Sequence, residues 1–260
     1  MSLVGEERKK KILDILEERE KVTVQELSKK LNVSTETIRR YLEQLENENK
    51  VKKVYGGAIR VVEGEEPPFL TRKISYPEEK KRIGKRAAEF VTHNDVIALD
   101  EGSTPLQMIP FLTGKMNLTV ITPSFAIAYY LMENQNNQKF NGRIYFLGGE
   151  IDSRHQRSIG SMAAEAMERF YFNKAFISAD GFTVSNGATC YGPEKGILSR
   201  KMMAHAEKSF LLVDHSKIGV RSSYRIAPLN EFHKIICDGA VPPDWKEAIA
   251  PGIWEVAPKT

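Results

Sequence analysis

Short apolar runs alternate with stretches of helical period from residue 77 onward, and this alternation constrains the fold more than any other feature. The apolar runs lie at 96–99, 118–121, 144–147, 175–177, 210–213 and 235–237. The helical stretches lie at 78–91, 104–113, 124–133, 161–170 and 194–206. Buried strands separated by helices are typical of a mostly parallel sheet that is covered on both faces. The sequence therefore predicts an α/β domain over residues 77–260.

The N-terminal residues predict three short helices instead. Apolar residues recur at helical spacing over 6–19, which predicts the first helix. Thr23, with Glu26 three residues later, has the pattern of a capping box before a second helix. Asn32 tolerates the left-handed conformation that ends such a helix, and Ser34 is placed to cap a third.

The third helix and the segment after it complete a recognisable unit. Ile38, Leu42 and Leu45 form an inward apolar stripe on the helix. Two strand-like runs flank a Gly-Gly pair at 51–61 and predict a basic β-hairpin. Three helices followed by a hairpin is the order of a winged helix-turn-helix, so we expect a DNA-binding domain at 1–61.

The outward face of the third helix has the composition of a DNA-reading surface. Arginine can bond bidentately to guanine, whereas threonine and tyrosine can reach phosphates or a thymine methyl group. The basic residues of the hairpin are placed to contact phosphates beside the groove. The alternative is a helical bundle whose charged face is only solvated. The candidate DNA-binding residues are Ser34, Thr35, Thr37, Arg39, Arg40, Tyr41, Gln44, Lys52, Lys53, Tyr55 and Arg60.

The composition and the segment between the two regions limit what the chain is. Residues 62–76 contain acidic residues and a Pro-Pro pair without an apolar period, which predicts a linker or extended arm. A net charge of +4 over 260 residues excludes histone-like basicity and an acidic disordered chain. Two cysteines cannot make a disulfide framework, and no apolar run approaches the ~18 residues of a membrane span. We expect a cytoplasmic protein with no membrane contact.

Polar residues follow the predicted strands and mark the candidate ligand site. In an open parallel sheet, ligands bind beyond the carboxyl ends of the strands. The polar breaks there are 100–104, 122–124, 148–150, 180–181 and 214–217. Backbone N–H groups and hydroxyls at 102–104 suit a phosphate, and strand-end aspartates can accept bonds from sugar hydroxyls. The alternative for each loop is plain capping of the next helix.

Two runs of the N-terminal unit carry a family resemblance. Residues 33–42 read VSTETIRRYL, and residues 53–58 read KVYGGA. Together they resemble the N-terminal signature of the DeoR family of bacterial transcriptional regulators. The polar breaks at 100–104, 180–181 and 214–219 resemble the C-terminal sensor domain of the same family, so the resemblance covers nearly all of residues 6–240.

This resemblance implies a sensor domain with a sheet like that of ribose-5-phosphate isomerase. The sensor domain would bind phosphorylated intermediates of carbohydrate metabolism. Lys217 would pair with phosphate, or else be a surface lysine, and Arg157 and Lys195 are weaker cationic candidates. Glu194 fits a favourable first-turn charge better than a catalytic base. The implied effector-binding residues are Asp100, Gly102, Ser103, Thr104, Thr122, Ser124, Gly149, Asp180, Asp214 and Lys217.

Two other functions remain open at this point. A sugar-phosphate isomerase-like enzyme with a DNA-binding domain would need a carboxylate base, but basic residues occupy the helix positions where we would look for it. An architectural DNA-binding protein would not need several polar loops at strand ends. The five histidines show no metal-ligand spacing, so we expect no metal, no cofactor and no catalytic residues.

We therefore expect a transcriptional regulator, and specifically a repressor of carbohydrate-metabolism genes. Its partners would be a double-stranded DNA operator, a phosphorylated sugar or related metabolite, and further copies of the chain in a dimer or tetramer. Residues 77–260 would sense the effector and assemble the oligomer, and effector binding would change the placement of the DNA-binding domains.

Overall fold

The computed structural model of the chain describes residues 3–19, 21–48, 50–54, 56–60 and 64–259. It divides into two compact units, Met1–Pro67 and Pro68–Thr260. The α-helices are α1 Leu3–Glu18, α2 Val24–Leu31, α3 Thr35–Asn47, α4 Phe69–Ile74, α5 Pro77–Glu89, α6 Phe125–Asn136, α7 Ser161–Met167 and α8 Pro193–Ala204. Short 3₁₀ helices occupy Pro105–Phe111, His215–Lys217, Leu229–Glu231 and Pro243–Trp245.

The described strands divide between the two units. The smaller unit has β1 Lys21–Thr23, β2 Val51–Val54 and β3 Gly57–Arg60. The larger unit has β4 Val96–Leu99, β5 Leu118–Thr122, β6 Gly142–Phe146, β7 Glu150–Asp152, β8 Arg157–Ile159, β9 Phe172–Ser178, β10 Gly181–Thr183, β11 Gly187–Cys190, β12 Ala206–Val213, β13 Tyr224–Ala227, β14 Lys234–Cys237 and β15 Trp254–Val256.

The capping residues of the smaller unit begin and end its helices as predicted. Thr23 accepts a hydrogen bond from the Glu26 amide, and the Glu26 carboxylate accepts one from the Thr23 amide, so the capping box is complete. Asn32 ends α2 in the left-handed conformation, with φ of 50°. The Ser34 hydroxyl caps α3 by accepting a bond from the Thr37 amide. Because these caps fix both ends of a short turn, α2 and α3 form a helix-turn-helix.

The hairpin of the smaller unit is present and gains a third strand. β2 and β3 pair antiparallel, and β1 joins the outer side of β3, which the sequence did not predict. Gly57 makes this possible, because a Cβ there would lie 1.9 Å from the carbonyl oxygen of Val22. The three helices and this small sheet enclose a core that includes Ile12, Leu42 and Leu45. The winged helix-turn-helix prediction is confirmed.

The larger unit is built on a parallel sheet, as predicted. Its seven described strands run in the order β15-β14-β12-β9-β4-β5-β6, and each neighbouring pair is parallel. Alternate side chains of β4 face opposite layers. Ile97 and Leu99 pack with α5, α6 and the helix Pro105–Phe111, whereas Ala98 packs with α7 and α8. The sheet is therefore covered on both faces, which is why its strands are nearly uniformly apolar.

The structure differs from the prediction at several elements of the larger unit. The helix predicted at 104–113 is a 3₁₀ helix, because Pro105 starts it and Pro110 lies inside it without an N–H to donate. The run 235–237 is not the last strand, since β15 follows it. The hairpin β7–β8 and the antiparallel sheet β10-β11-β13 were not predicted. Each contains strands of three or four residues, too short to show a period of two.

The segment predicted as a linker is only partly one. Residues 69–74 form α4, and its first residue, Phe69, is 1% exposed in the core of the larger unit. The Phe69 amide donates to the carbonyl oxygen of Arg154 at 3.0 Å, which ties the start of α4 to the loop before β8. The prediction of an extended arm over 62–76 is therefore wrong for α4. Pro67 and Pro68 mark the boundary between the two units rather than the middle of a linker.

Candidate functional site

The surface of α3 presents most of the residues predicted to contact DNA. Thr35, Arg39 and Arg40 are exposed, and Thr37 and Gln44 are half-buried. Arg39 forms an exposed ion pair with Glu36 at 3.3 Å, one turn away. Such a pair is weak in water and opens readily. The helix therefore offers an outward face of short hydroxyl and guanidinium side chains.

Tyr41 departs from the prediction. Its side chain is 6% exposed and belongs to the core of the smaller unit, with Ile38 and Leu45. The spacing explains this position, because residues 38, 41 and 45 are three and four residues apart and so share one face of the helix. The Arg40 guanidinium lies 5.8 Å from the centre of the Tyr41 ring. Tyr41 therefore supports the helix from inside and is not part of the exposed face.

The basic residues of the hairpin are held by neighbouring acids. Lys53 is exposed, and its ammonium lies 3.2 Å from Glu46, whose carboxylate also accepts a bond from the Lys53 amide. Arg60 is exposed and pairs with Glu17 at 3.1 Å. The Lys52 backbone pairs with Ile59 in β2 and β3. The Lys52 side chain and the whole of Tyr55 lie outside the described residues, so their predicted roles stay predictions.

The strand order of the larger unit brings the predicted ligand loops to one edge. The neighbouring strands β12, β9, β4, β5 and β6 are parallel, so the loops that follow them lie side by side. Asp214, Asp180, Asp100, Thr122 and Gly149 lie in or next to these loops. The polar breaks singled out in the sequence therefore belong to the same carboxyl edge of the sheet.

Asp100 is fully buried at this edge and its carboxylate is surrounded by donors. It accepts hydrogen bonds from the Ser178 amide at 3.0 Å, the Ser199 hydroxyl at 3.1 Å and the Glu101 amide at 2.8 Å. Burial raises the pKa of Asp100 to about 7, opposed by the charge of Lys195 and reinforced by that of Glu101. Asp100 is therefore an acid that can gain or lose a proton near neutral pH.

Glu101 is the centre of a buried charged cluster that the sequence did not reveal. Among the described side chains, Arg157 lies 2.5 Å from its carboxylate, Arg72 3.5 Å and Lys195 3.6 Å. Burial alone would raise the pKa of Glu101, but the charges of Lys195, Arg157 and Arg72 hold it well below its ordinary value. Glu101 is therefore a buried anion held by three cations.

Asp180 extends the cluster on the side of α8. Its carboxylate oxygens each lie 3.4 Å from the Lys195 ammonium, and one also accepts a bond from the Tyr191 amide at 3.3 Å. Burial would raise the pKa of Asp180, but Lys195, Arg72 and Lys217 lower it. Lys217 is half-buried, and its charge makes the smallest contribution of the three.

A cavity of 370 Å³ opens beside these charges. Its polar walls include Asp100, Glu101, Arg157 and Lys195, and its apolar walls come from β8, α7 and α8. Cavities of this size hold small metabolites. The apolar and remaining polar lining residues are Ser158, Ile159, Gly160, Ser161, Ala163, Ala164, Glu194, Ile197 and Leu198.

The other predicted loop residues divide into two groups. Gly102, Ser103 and Thr104 are buried next to Asp100, and Gly102 has φ of 148°. A Cβ at Gly102 would lie 2.8 Å from the Ser178 hydroxyl, so the close approach of the loop after β4 to the end of β9 needs glycine here. Thr122 and Ser124 instead serve as caps: the Ser124 amide donates to the Thr122 hydroxyl, and the Ser124 hydroxyl accepts from the Ile127 amide at the start of α6.

The two outermost predicted positions play local roles. A Cβ at Gly149 would lie 2.6 Å from the carbonyl oxygen of Ile159, so the glycine lets the loop approach β8. Asp214 caps the short helix that contains Lys217 by accepting from the Ser216 amide, and it lies 4.0 Å from the ammonium of Lys80. Of the ten predicted effector residues, Asp100 lines the 370 Å³ cavity directly.

The residues of the cluster that were not predicted as effector contacts are Glu101 and three basic residues. Arg72 fell in the predicted linker, and Arg157 and Lys195 were only secondary candidates. One signal was available for Lys195, which follows Gly192-Pro193 at the predicted start of a helix beyond a strand end. Within the described ranges, no helix is both long and apolar enough to cross a membrane.

Comparisons with known proteins agree with both units. Residues 8–63 match the DeoR-like helix-turn-helix domain, and residues 75–239 match the DeoR C-terminal sensor domain. The HTH-type transcriptional regulator GolR of Listeria innocua is 35% identical over 90% of this chain and 91% of its own. The HTH-type transcriptional repressor GlcR of Bacillus subtilis is 34% identical over 90% of this chain and 88% of its own.

A solved structure of ribose-5-phosphate isomerase A from Methanocaldococcus jannaschii is also similar, with 19% identity and a TM-score of 0.40 over 55% of each chain. The sequence relatives are named as transcriptional regulators and not as enzymes. A helix-turn-helix unit followed by a sensor unit, matched in that order over most of the chain, places this protein in the DeoR family of DNA-binding transcriptional regulators.

Proposed function

We propose that this regulator represses genes of carbohydrate metabolism and that a phosphorylated sugar or a related anionic metabolite controls it. One observation carries the proposal: the chain combines a winged helix with an exposed reading face and a metabolite-sized cavity lined by buried charges. Similar proteins include one named a transcriptional repressor, GlcR. We propose a cytoplasmic location, where the operator DNA is found.

The DNA contacts we propose lie on α3 and the hairpin of the domain at 1–61. Arg40 is exposed at the centre of the α3 face and is our candidate for reading a base. Lys53 and Arg60 can exchange their weak surface ion pairs for phosphates. The full proposed set is Ser34, Thr35, Thr37, Arg39, Arg40, Gln44, Lys52, Lys53, Tyr55 and Arg60. Tyr41 is left out because its side chain is in the core.

The effector contacts we propose lie within residues 77–260. The Asp100 carboxylate can accept a hydrogen bond from a sugar hydroxyl, and its protonated form can donate one. The 370 Å³ cavity offers room for a small phosphorylated sugar. The proposed residues are Asp100, Gly102, Ser103, Thr104, Gly149, Asp180, Asp214 and Lys217, with Thr122 and Ser124 shaping the loop through their caps.

We propose that the protein acts as a homo-oligomer, a dimer or a tetramer. Two recognition helices on one face of the duplex need half-sites about one helical turn (~34 Å) apart or a multiple of it. An effector can release the operator only if it binds the DNA-incompetent state more tightly than the DNA-bound state. Equal affinity for both states would change nothing.

Fluorescence anisotropy with labelled duplexes tests this function. The full chain is titrated onto fragments from the genomic neighbourhood of its own gene, at low ionic strength and with an excess of unlabelled random duplex. We expect at least one fragment to bind about 10³-fold more tightly than random DNA. Equal binding to every fragment and to random DNA would overturn the proposed regulator.

A further inference from the structure

Three basic side chains from separate elements meet at one carboxylate in the larger unit. Arg72 comes from α4, Arg157 from β8 and Lys195 from α8, and their side chains are 10%, 8% and 1% exposed. All three point a cationic nitrogen at Glu101, at distances from 2.5 to 3.6 Å. Burying cations is costly unless an anion is present. The three cations therefore form an anion site, and the Glu101 carboxylate of the protein itself occupies it.

A phosphate group can replace the Glu101 carboxylate as the partner of these cations. A guanidinium fork binds a carboxylate or a phosphate with similar geometry, and an ammonium binds either as a point charge. The 370 Å³ cavity is lined by Glu101, Arg157 and Lys195, so a ligand that enters it meets two of the three cations. It also meets the Glu101 carboxylate. A second anion cannot share these cations at close range without repulsion.

We propose that the anionic group of the effector binds where the Glu101 carboxylate now lies, and that Glu101 is the internal counter-ion it displaces. This inference rests on the proposed function, in that the effector is taken to carry a phosphate. The unliganded site is then kept intact by Glu101, and the ligand competes with a group of the protein itself. The apparent affinity of the protein for the effector is reduced by the fraction of time that Glu101 occupies the site.

The displacement has a structural consequence at α4. Arg72 donates to Glu101, and the Arg72 carbonyl accepts a bond from the buried Lys80 ammonium at 2.5 Å. Helix α4 starts one residue after the boundary of the two units, at Pro67 and Pro68. A change in the partner of Arg72 therefore alters how firmly the first helix of the larger unit is held. This is the kind of differential contact that coupling between two sites requires.

The test uses the full chain, inorganic phosphate as the probe, and no DNA. Titration calorimetry and thermal unfolding compare wild type with Glu101→Gln at constant ionic strength, with sodium chloride replacing phosphate in the control. The matched variant is Glu165→Gln, which removes an exposed carboxylate from α7 outside the lining of this cavity. We expect Glu101→Gln to bind phosphate about tenfold more tightly than wild type, the scale of a typical coupling between sites. Glu165→Gln should change the affinity less than about twofold.

Thermal unfolding supplies a second readout. Glu101→Gln removes one carboxylate from a cluster of three buried cations, while Lys195 keeps Asp180 and Arg157 keeps Asp152. Its Tm in chloride should therefore fall below that of wild type. Phosphate should restore much of that loss and should raise the Tm of the variant more than that of wild type. Glu101→Asp, which keeps the charge but shortens its reach, should shift both readouts in the same direction by a smaller amount.

Several results would overturn the inference. Weaker phosphate binding by Glu101→Gln would mean that Glu101 orients the cations for the ligand instead of competing with it. Equal effects of Glu101→Gln and Glu165→Gln would reduce the role of Glu101 to general charge repulsion. A Glu101→Gln protein that stays unfolded in phosphate would contradict the predicted recovery of stability on phosphate binding. Because no DNA is present, a failed operator titration leaves this result unaffected, and a failed phosphate titration leaves the operator result unaffected.

Discussion

Nη1 of Arg157 lies 2.5 Å from Oε1 of Glu101, although the two residues are 56 positions apart in the sequence. Both side chains are almost completely buried, at 8% and 2% exposed. The pair joins the hairpin β7–β8 to the end of strand β4. It is therefore a tertiary contact between elements that the periodicity of the sequence does not connect.

We predict that Arg157→Ala destabilises the larger unit by about 3 kcal/mol, because it leaves a buried carboxylate short of its nearest cation. Urea unfolding of the full chain measures this loss. The control is Arg143→Ala, which removes an exposed arginine from β6 and should cost less than about 0.5 kcal/mol. Similar losses for the two variants would show that the Arg157 pair has no special structural role.

Asp100 gives the protein a pH-dependent stability. Its folded-state pKa is raised from 3.8 to about 7, first by burial, so between these values the folded state holds a proton that the unfolded state has lost. The free energy of unfolding therefore falls as pH rises from about 4 to about 7, and the full cost is present above that window. Glu101 and Asp180 have lowered pKa values, so the stability they contribute is fully present above the ordinary pKa of a carboxyl group and is lost as the pH falls below it.

We predict that Asp100→Asn gains stability relative to wild type as the pH is raised from 5 to 8. The difference in unfolding free energy between the two proteins should grow by at least about 1 kcal/mol over that interval. Urea titrations at pH 5 and pH 8 measure it, and groups common to both proteins cancel in the comparison. A difference that stays constant with pH would mean that Asp100 does not titrate in this window.

The order of elements in the fold was predictable because the spacing of apolar residues indicates which side chains are buried. The apolar runs at 96–99, 118–121 and 210–213 are strands, since both faces of a parallel sheet are covered. The linker prediction failed at α4 because the Pro-Pro pair and the acidic run before it hid a helix of only six residues. Of its apolar residues, Phe69 is buried, whereas Leu70 and Ile74 are exposed, so the helix has no apolar face of its own to detect. Strands of three residues, such as β15, leave no pattern long enough to detect.

Arg40→Ala should remove specificity more than general affinity for DNA. If Arg40 reads a base, the variant loses about 1–3 kcal/mol on the specific operator and little on random duplex. Anisotropy titrations against both DNAs measure the ratio. Arg39→Ala, from the adjacent position on the flank, is the matched comparison. A uniform loss across all sequences would show that Arg40 contacts phosphate.

Lys53→Ala should weaken operator and random DNA alike. A phosphate contact contributes counterion release, so the slope of log K against log salt should flatten by about 0.9. The same titrations at several salt concentrations give this slope. The ion pair with Glu46 is exposed and weak, so losing it should leave the unfolding free energy nearly unchanged. An unaltered salt slope would place Lys53 away from the DNA.

The candidate site was predictable only in outline. Asp100 and Asp180 stood out because strand ends of a parallel sheet meet at one edge. The capping alternative proved right for Ser124, whose hydroxyl is engaged at the start of α6. Arg157 and Lys195 were secondary candidates, but their meeting with Arg72 at Glu101 could not be predicted, because the three come from separate regions and meet only in the folded chain. Tyr41 was misplaced because its ring shares a helix face with the apolar stripe.

The dissociation constant for the operator, measured with and without a panel of phosphorylated sugars, tests the central claim most directly. We predict that at least one sugar phosphate weakens operator binding by wild type about tenfold or more. Asp100→Asn should bind the operator normally and lose that response. Sugar phosphates that raise the Tm of the protein but leave its operator affinity unchanged would contradict control of DNA binding by the larger unit.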